Sequence, residues 1–232
     1  MKRFILLNAP KGVGKDVAKD YVIKELAKEG ITLVHSECKD RLHELTRIVF
    51  NIPEKEYWDR YNSRETKELP WDKLRVNISD LMFDFLCDET DIEDSQIIKK
   101  EENSWIIDLS IRQAMIYVSE LMIKPTFGLQ YFSEYRLMDL PDNTIAIDGS
   151  CGFSEELDHL IKNVGSENVL LIQIWREGFT FEGDSRSYVY SKELYEKNNI
   201  VAVMNQEGKE LEFKEKIKSI VKEFINKTEV SK

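Results

Sequence analysis

The stretch FILLNAPKGVGKDVAKD, residues 4–20, constrains the chain more than any other. Four apolar residues read as a buried strand, and Gly12 and Gly14 follow within a few residues. Next comes an amphipathic run in which Val17, Tyr21, Val22 and Leu26 recur at helical spacing with charges opposite. A strand, a glycine-rich turn and a helix in that order bring backbone N–H groups and the positive end of a helix to one point, an arrangement suited to an anion. The stretch A-P-K-G-V-G-K-D approximates the pattern G-x-x-x-x-G-K-[ST], which cradles nucleotide phosphates. Ala9 stands for the first glycine, Gly14 and Lys15 occupy their expected places, and Asp16 replaces the usual hydroxyl. Residues Ala9, Pro10, Lys11, Gly12, Val13, Gly14, Lys15, Asp16 and Val17 are therefore the candidate ATP-binding loop, with Lys15 reaching the β- and γ-phosphates. Asp16 either ligates Mg²⁺, which accepts oxygen ligands and keeps several waters, or is a first-turn acid that suits the helix dipole.

The remaining pattern extends this start. Gly30 stops the first helix, ITLVHS (31–36) reads as a second strand, and residues 40–50 as a second helix. NTIAID (143–148), VLLIQIW (169–175) and IVAVMN (200–205) are further strands. Helices are expected at 110–123, ended by Pro125, at 127–138, at 154–164 capped by Ser154, and at 209–226. Five short strands alternating with helices predict a three-layer α/β/α fold with a mostly parallel sheet. Residues 51–110 are less regular and read as an excursion, helical or hairpin-like. The whole of 1–232 is read as one domain, with 51–110 as a largely helical insertion and 176–192 as a lid-like loop.

Charge narrows the ligand. With 33 basic and 43 acidic residues the net charge is −10, a poor match to a protein that grips polymeric nucleic acid through its phosphates. A small anion would need cations gathered locally. Arg64, Lys67 and Arg112 adjoin segments expected at the carboxyl edge of the sheet, where α/β proteins bind ligands. Arg112 near a helix N-terminus opposes the dipole unless an anion is bound. Asp148 ends a strand and could organise Mg²⁺, accept a proton, or simply begin a turn before Gly149. Arg176 and Arg186 lie in the aromatic loop after the fourth strand. Trp58, Trp71, Phe127 and Tyr131 could stack on a base or belong to a core. His35, His43 and His159 converge on no motif, and His43 and His159 read as structural. Cys38, Cys87 and Cys151 have no zinc-like spacing and read as reduced thiols of a cytoplasmic protein. No apolar run suits a signal peptide or a membrane span.

The G-K-D form of the loop, followed by Val17 and Ala18, resembles the deoxynucleoside monophosphate kinases of large tailed bacteriophages. SECKDRLHEL (36–45) is similar to a family segment and puts Lys39 in its Lys position; YNSRETKELP (61–70) supplies Arg64 and Lys67; SIRQAMIYVSEL supplies Ser110 and Arg112. The family glutamine is not at its expected spacing, and GSCGFSEEL replaces an Arg-containing turn after Asp148. The resemblance implies ATP–Mg²⁺-dependent phosphorylation of a deoxynucleoside monophosphate, with Lys15, Arg112, Arg176, Arg186 and Asp148 as catalytic residues. It implies Lys39, Arg64, Lys67 and Arg112 on the acceptor, whose base Trp71, Phe127 and Tyr131 are the aromatic candidates to stack on, with Asp16 and Asp148 on the metal. It is compatible with a homodimer, and with location in the host cytoplasm if the chain is phage-encoded. Two alternatives stay open: phosphorylation of a hydroxymethylated pyrimidine within DNA, and an NTP-binding or hydrolysing module without a small-molecule acceptor.

Overall fold

The computed structural model of the protein describes residues 1–63, 65–182 and 186–230, with side chains described through 227. In chain order the elements are β1 (Arg3–Asn8), α1 (Lys15–Lys28), β2 (Val34–His35), α2 (Cys38–Val49), α3 (Glu54–Asn62), β3 (Arg75–Ser79), α4 (Asp80–Glu89), β4 (Ile97–Lys100) and β5 (Ser104–Asp108). They continue with α5 (Ile111–Ile116), a π-helical segment (Tyr117–Ile123), α6 (Lys124–Phe127), α7 (Tyr131–Asp139), β6 (Ile145–Asp148), α8 (Ser154–Val164), β7 (Val169–Trp175), α9 (Lys192–Glu196), β8 (Ile200–Met204) and α10 (Glu210–Val230). The chain divides into two compact units, residues 1–38 with 133–232 and residues 39–132.

The first unit is a three-layer α/β fold. Its five-stranded sheet runs β2-β6-β1-β7-β8, with every pairing parallel. Side chains alternate across β1, so Ile5 and Leu7 join one core while Phe4 and Leu6 join another. On one face Val22 and Leu26 of α1 meet Ile217, Val221 and Phe224 of α10; on the other, Leu157 and Leu160 of α8 pack with Leu194 of α9. Burial on both faces explains why these strands are continuous apolar runs. β1 lies between β6 and β7, so the loop that leaves it emerges mid-sheet at the carboxyl edge.

The second unit, 39–132, adds an antiparallel sheet, β3-β5-β4, to its helices. Tyr57, Leu74, Ile78, Leu86, Ile107, Leu109 and Ile111 form its core. Ser110 caps α5 in a reciprocal capping box with Gln113. Gln113 also bonds Gln96 (2.7 Å) and the Asp91 carbonyl (2.7 Å), and Gln96 reaches the Asp108 carbonyl (2.9 Å). The buried glutamine pair thus holds β5, α5 and the turn before β4 together.

Several local expectations are corrected. β2 is only two residues long, not six, because residues 31–33 find no partner strand. Val17 is 56% exposed; the buried face of α1 is Lys15, Ala18, Lys19, Val22 and Leu26. Pro125 does not end the helix begun at Ile111. The π-helical turn, with Lys124 N–H bonded to the Ser119 carbonyl, passes into α6, and Pro125 falls in the first turn of α6, where its missing N–H is tolerated. The break comes at Gly128, φ +96°, so the next helix starts at Tyr131 rather than 127. Ser154 is the first helical residue of α8, and Phe153 holds the cap position without a side-chain bond. Among the described residues no helix is long and apolar enough to cross a membrane.

Candidate phosphate-binding site

The glycine loop forms because two of its residues adopt backbone angles that side chains resist. Gly12 has φ +84° and Gly14 φ +95°, and Gly14 is the residue from which α1 starts. Ala18 N–H bonds the Gly14 carbonyl at 3.0 Å, the first bond of the helix. The remaining first-turn N–H groups have no helical acceptor, as at any helix start. Val13 is fully buried, and Asn205, just past β8, donates its amide to the Val13 carbonyl at 2.7 Å. A Cβ at Gly14 would lie 2.9 Å from that same amide nitrogen. Loop shape is therefore set from below by Asn205 and from within by glycine. Lys15 is buried, whereas Lys11 is exposed.

Three carboxylates stand at the same sheet edge. Asp16 is open, its side chain 72% exposed, with Lys19 Nζ 3.8 Å away. Glu37 is buried: its Oε1 accepts from Lys19 Nζ (3.1 Å) and from Gly149 N–H (3.2 Å), and His35 Nε2 lies at 2.9 Å. A Cβ on Gly149 would fall 3.1 Å from Glu37 Oε1 and 3.3 Å from Asp16 Oδ1, so both carboxylates flank that glycine. Asp148 is also buried. Its Oδ2 accepts from Arg136 Nη1 (2.7 Å), and its Oδ1 accepts from Ser150 N–H (2.6 Å) and from Ser150 Oγ (2.8 Å). Asp148 is thus held as a buried ion pair, with both oxygens occupied, rather than opened toward a metal. Arg136 is supported by Ser36 Oγ (3.2 Å) and by the Phe4 ring, 4.9 Å from its guanidinium carbon.

Cysteine chemistry does not fit this edge. Burial pushes the Cys151 thiol well up, and nearby Asp148 pushes the same way. Cys38 is raised likewise by burial and by Glu156. Neutral buried thiols are poor nucleophiles.

The loop after β7 contacts the phosphate loop directly. The Phe179 ring packs on Gly12, where a Cβ would sit 2.9 Å from the ring edge. The guanidinium of Arg176 lies 5.0 Å from the Phe179 centroid. Trp175 stacks on Tyr188 at 3.7 Å, and Tyr188 OH donates to the Ile174 carbonyl at 2.8 Å. The alkyl chain of Arg186 runs across Gly152, where a Cβ would meet Arg186 Cβ at 2.6 Å. Arg176 therefore belongs to the part of the segment that packs on the phosphate loop, whereas Arg186 packs on the turn after β6.

The acceptor candidates lie in the second unit, apart from Arg64, which is outside the described residues. Arg112 and Lys39 are exposed. Lys67 Nζ sits 4.1 Å above the Tyr61 ring, and Trp71 faces the guanidinium of Arg60 at 4.9 Å. Phe127 is 60% exposed and pairs with Tyr131, ring centroids 5.2 Å apart. Trp58 packs with Tyr57, Tyr61 and His43, and His43 Nδ1 lies 2.7 Å from Tyr57 OH, so His43 and Trp58 are structural. His159 bonds Ser133 at 2.9 Å and is structural too.

Lys19, His35, Glu37, Arg136, Phe179, Asn205 and Asn8 were invisible as site residues in the sequence. Each is an ordinary residue until distant strands bring its partner near; Asn205 and Val13, for example, are 192 positions apart.

No family model matches the chain, and no curated protein matches it. Among solved structures, the chain is similar to a Borrelia burgdorferi B31 protein described as a plasmid partition protein and crystallised with AMPPNP. The identity is 15% and the TM-score 0.33, over 98% of this chain and 100% of that one.

Proposed function

We propose that the chain transfers the γ-phosphoryl group of ATP to the phosphate of a deoxynucleoside monophosphate, as expected of the phage kinases that its loop resembles. The observation that carries this is the loop itself: a buried central strand, two glycines at positive φ, and a helix that begins at a buried lysine. That geometry suits the phosphates of a nucleotide.

The acceptor class follows from the carboxylates. A hydroxyl acceptor must lose a proton, so a carboxylate has to be within reach of it. Of the three carboxylates described at this sheet edge, Glu37 and Asp148 are buried and already engaged, and the open one, Asp16, is the candidate for Mg²⁺. A monophosphate already presents ionised oxygens at neutral pH and needs no such base. The balance favours a phosphate acceptor over a hydroxymethylated base, and the net charge of −10 favours a small ligand over a polymer.

Lys15 and the loop amides would hold the β- and γ-phosphates, and Arg176 and Arg186 would offset the charge that develops during transfer. Arg112, Lys67, Lys39 and Arg64 would hold the acceptor phosphate; Trp71, Phe127 and Tyr131 would offer its base a stacking surface. Asp16 fits Mg²⁺, since a single open carboxylate with phosphates and waters is a usual ligand set for that ion. Bound there, Mg²⁺ would neutralise phosphate oxygens. Asp148 does not fit while Arg136 and Ser150 occupy it.

The test is chromatographic analysis of products formed with ATP–Mg²⁺ and a panel of deoxynucleoside monophosphates, with a hydroxymethylated duplex as a separate arm. At least one diphosphate should form, and Lys15→Ala should lower its rate about a hundredfold or more. Phosphate appearing only on the duplex, or no diphosphate from any monophosphate, would sink the proposal.

A further inference from the structure

Asn8 is a polar residue where an apolar one is expected. It closes β1, is fully buried, and follows the apolar run Phe4–Leu7 directly. A buried amide is costly unless its hydrogen bonds are made. Here both donors and the acceptor oxygen are engaged, and all with backbone. Nδ2 donates to the Cys151 carbonyl (2.9 Å) and to the Ser187 carbonyl (2.9 Å), and Oδ1 accepts from Val189 N–H (3.0 Å). One side chain therefore ties three segments: the strand end that opens the phosphate loop, the turn after β6, and residues 187–189. Two donors and one acceptor in one planar group are what asparagine offers; aspartate would keep the acceptor and lose both donors.

The tied segment carries Arg186. Ser187 N–H donates to the Gly152 carbonyl at 3.1 Å, and the Arg186 alkyl chain lies across the Gly152 α-carbon. The start of the Arg186 side chain is thus placed twice, by the backbone that Asn8 holds and by the bare surface of Gly152.

We propose that Asn8 is a positioning residue that acts through Arg186, aiming this cation at the terminal phosphate of a nucleotide on the loop. The inference rests on the nucleotide reading above but requires no particular acceptor.

Its test is a double-mutant cycle read in binding. Calorimetry with Mg²⁺ present gives the affinity for ATP relative to ADP, a ratio that isolates the terminal phosphate. Arg186→Ala should lower this ratio about tenfold, the scale of one hydrogen bond to a charged group. Asn8→Asp should lower it similarly, and the double variant should fall no further, because both changes remove the same interaction. A merely structural role would weaken ATP and ADP together and leave the ratio alone. Gly152→Ala, whose Cβ would stand 2.6 Å from Arg186 Cβ, should also lower the ratio, and only while Arg186 is present; Asn8→Ala, which likewise removes both amide donors, decides the matter if Asn8→Asp fails to fold. Losses that add, or a ratio indifferent to Arg186, to Asn8 or to Gly152, would overturn the inference while ATP binding stood. Absence of ATP binding by the unaltered protein would instead overturn the nucleotide reading, and the inference with it.

Discussion

Replacing Gly14 with alanine separates two costs that the structure assigns to this position. The first is backbone. At φ +95° an L-residue is strained by roughly 1–2 kcal/mol. The second is a collision. The new Cβ would stand 2.9 Å from Asn205 Nδ2, the atom that holds the Val13 carbonyl. Moving that amide away forfeits a buried hydrogen bond worth about 1 kcal/mol. The expected loss is therefore about 2–3 kcal/mol in unfolding free energy, or roughly 4–12 °C in Tm for a chain of this size. Gly30 supplies the control. It has a similar φ of +81°, but a Cβ there meets nothing within 4 Å. Gly30→Ala should cost only the backbone part, about 1–2 kcal/mol. Urea titration of both variants measures the difference, and calorimetry with ATP–Mg²⁺ measures whether Gly14→Ala alone weakens the nucleotide. Equal losses at the two glycines, or unchanged ATP affinity in Gly14→Ala, would refute the reasoning.

Arg136→Met should destabilise the protein by about 3–5 kcal/mol in urea titration, because Asp148 would remain buried without its partner; adding Asp148→Asn should recover part of this. The two raised thiols predict alkaline sensitivity. Cys38 and Cys151 titrate higher in the folded chain than the ordinary 9.0, so their contribution is complete below pH 9 and is lost as pH rises above it. Each thiol should add a slope of up to about 1.4 kcal/mol per pH unit there, and Cys151→Ala should remove its share between pH 9 and 10 in denaturation midpoints. Asp16→Ala should raise the Mg²⁺ concentration needed for half-maximal turnover, while Asp16→Ser should restore much of it; equal Mg²⁺ dependence in all three proteins would remove Asp16 from the metal.

Much of the fold was legible because its signals are local. The run FILL is apolar on both faces, as a central parallel strand requires, and IAID, VLLIQIW and IVAVM repeat that pattern. Gly12, Gly14 and Lys15 announced the loop because positive φ and a helix start depend on residues next to one another. The helix from Ile111 was misjudged at Pro125 because a π turn, which no periodicity signals, carries the chain past it. Val17 was misjudged because helical spacing admits two neighbouring faces, and only the sheet selects one.

The site divides along the same line. Residues 9–17 could be read from sequence, since their chemistry lies in consecutive backbone groups. The fate of Asp148 could not, because its meaning depends on Arg136, which reaches it from another element. Glu37 and Lys19 gave no signal until β2 came to lie beside β6. Asn8 gave no signal beyond closing a strand; its three bonds reach residues 151, 187 and 189, up to 181 positions away. By itself the sequence determined the parallel sheet and the glycine loop, through periodicity and glycine. The tertiary structure alone decided which carboxylate stays open and which are buried in pairs, because burial and pairing depend on which strands become neighbours.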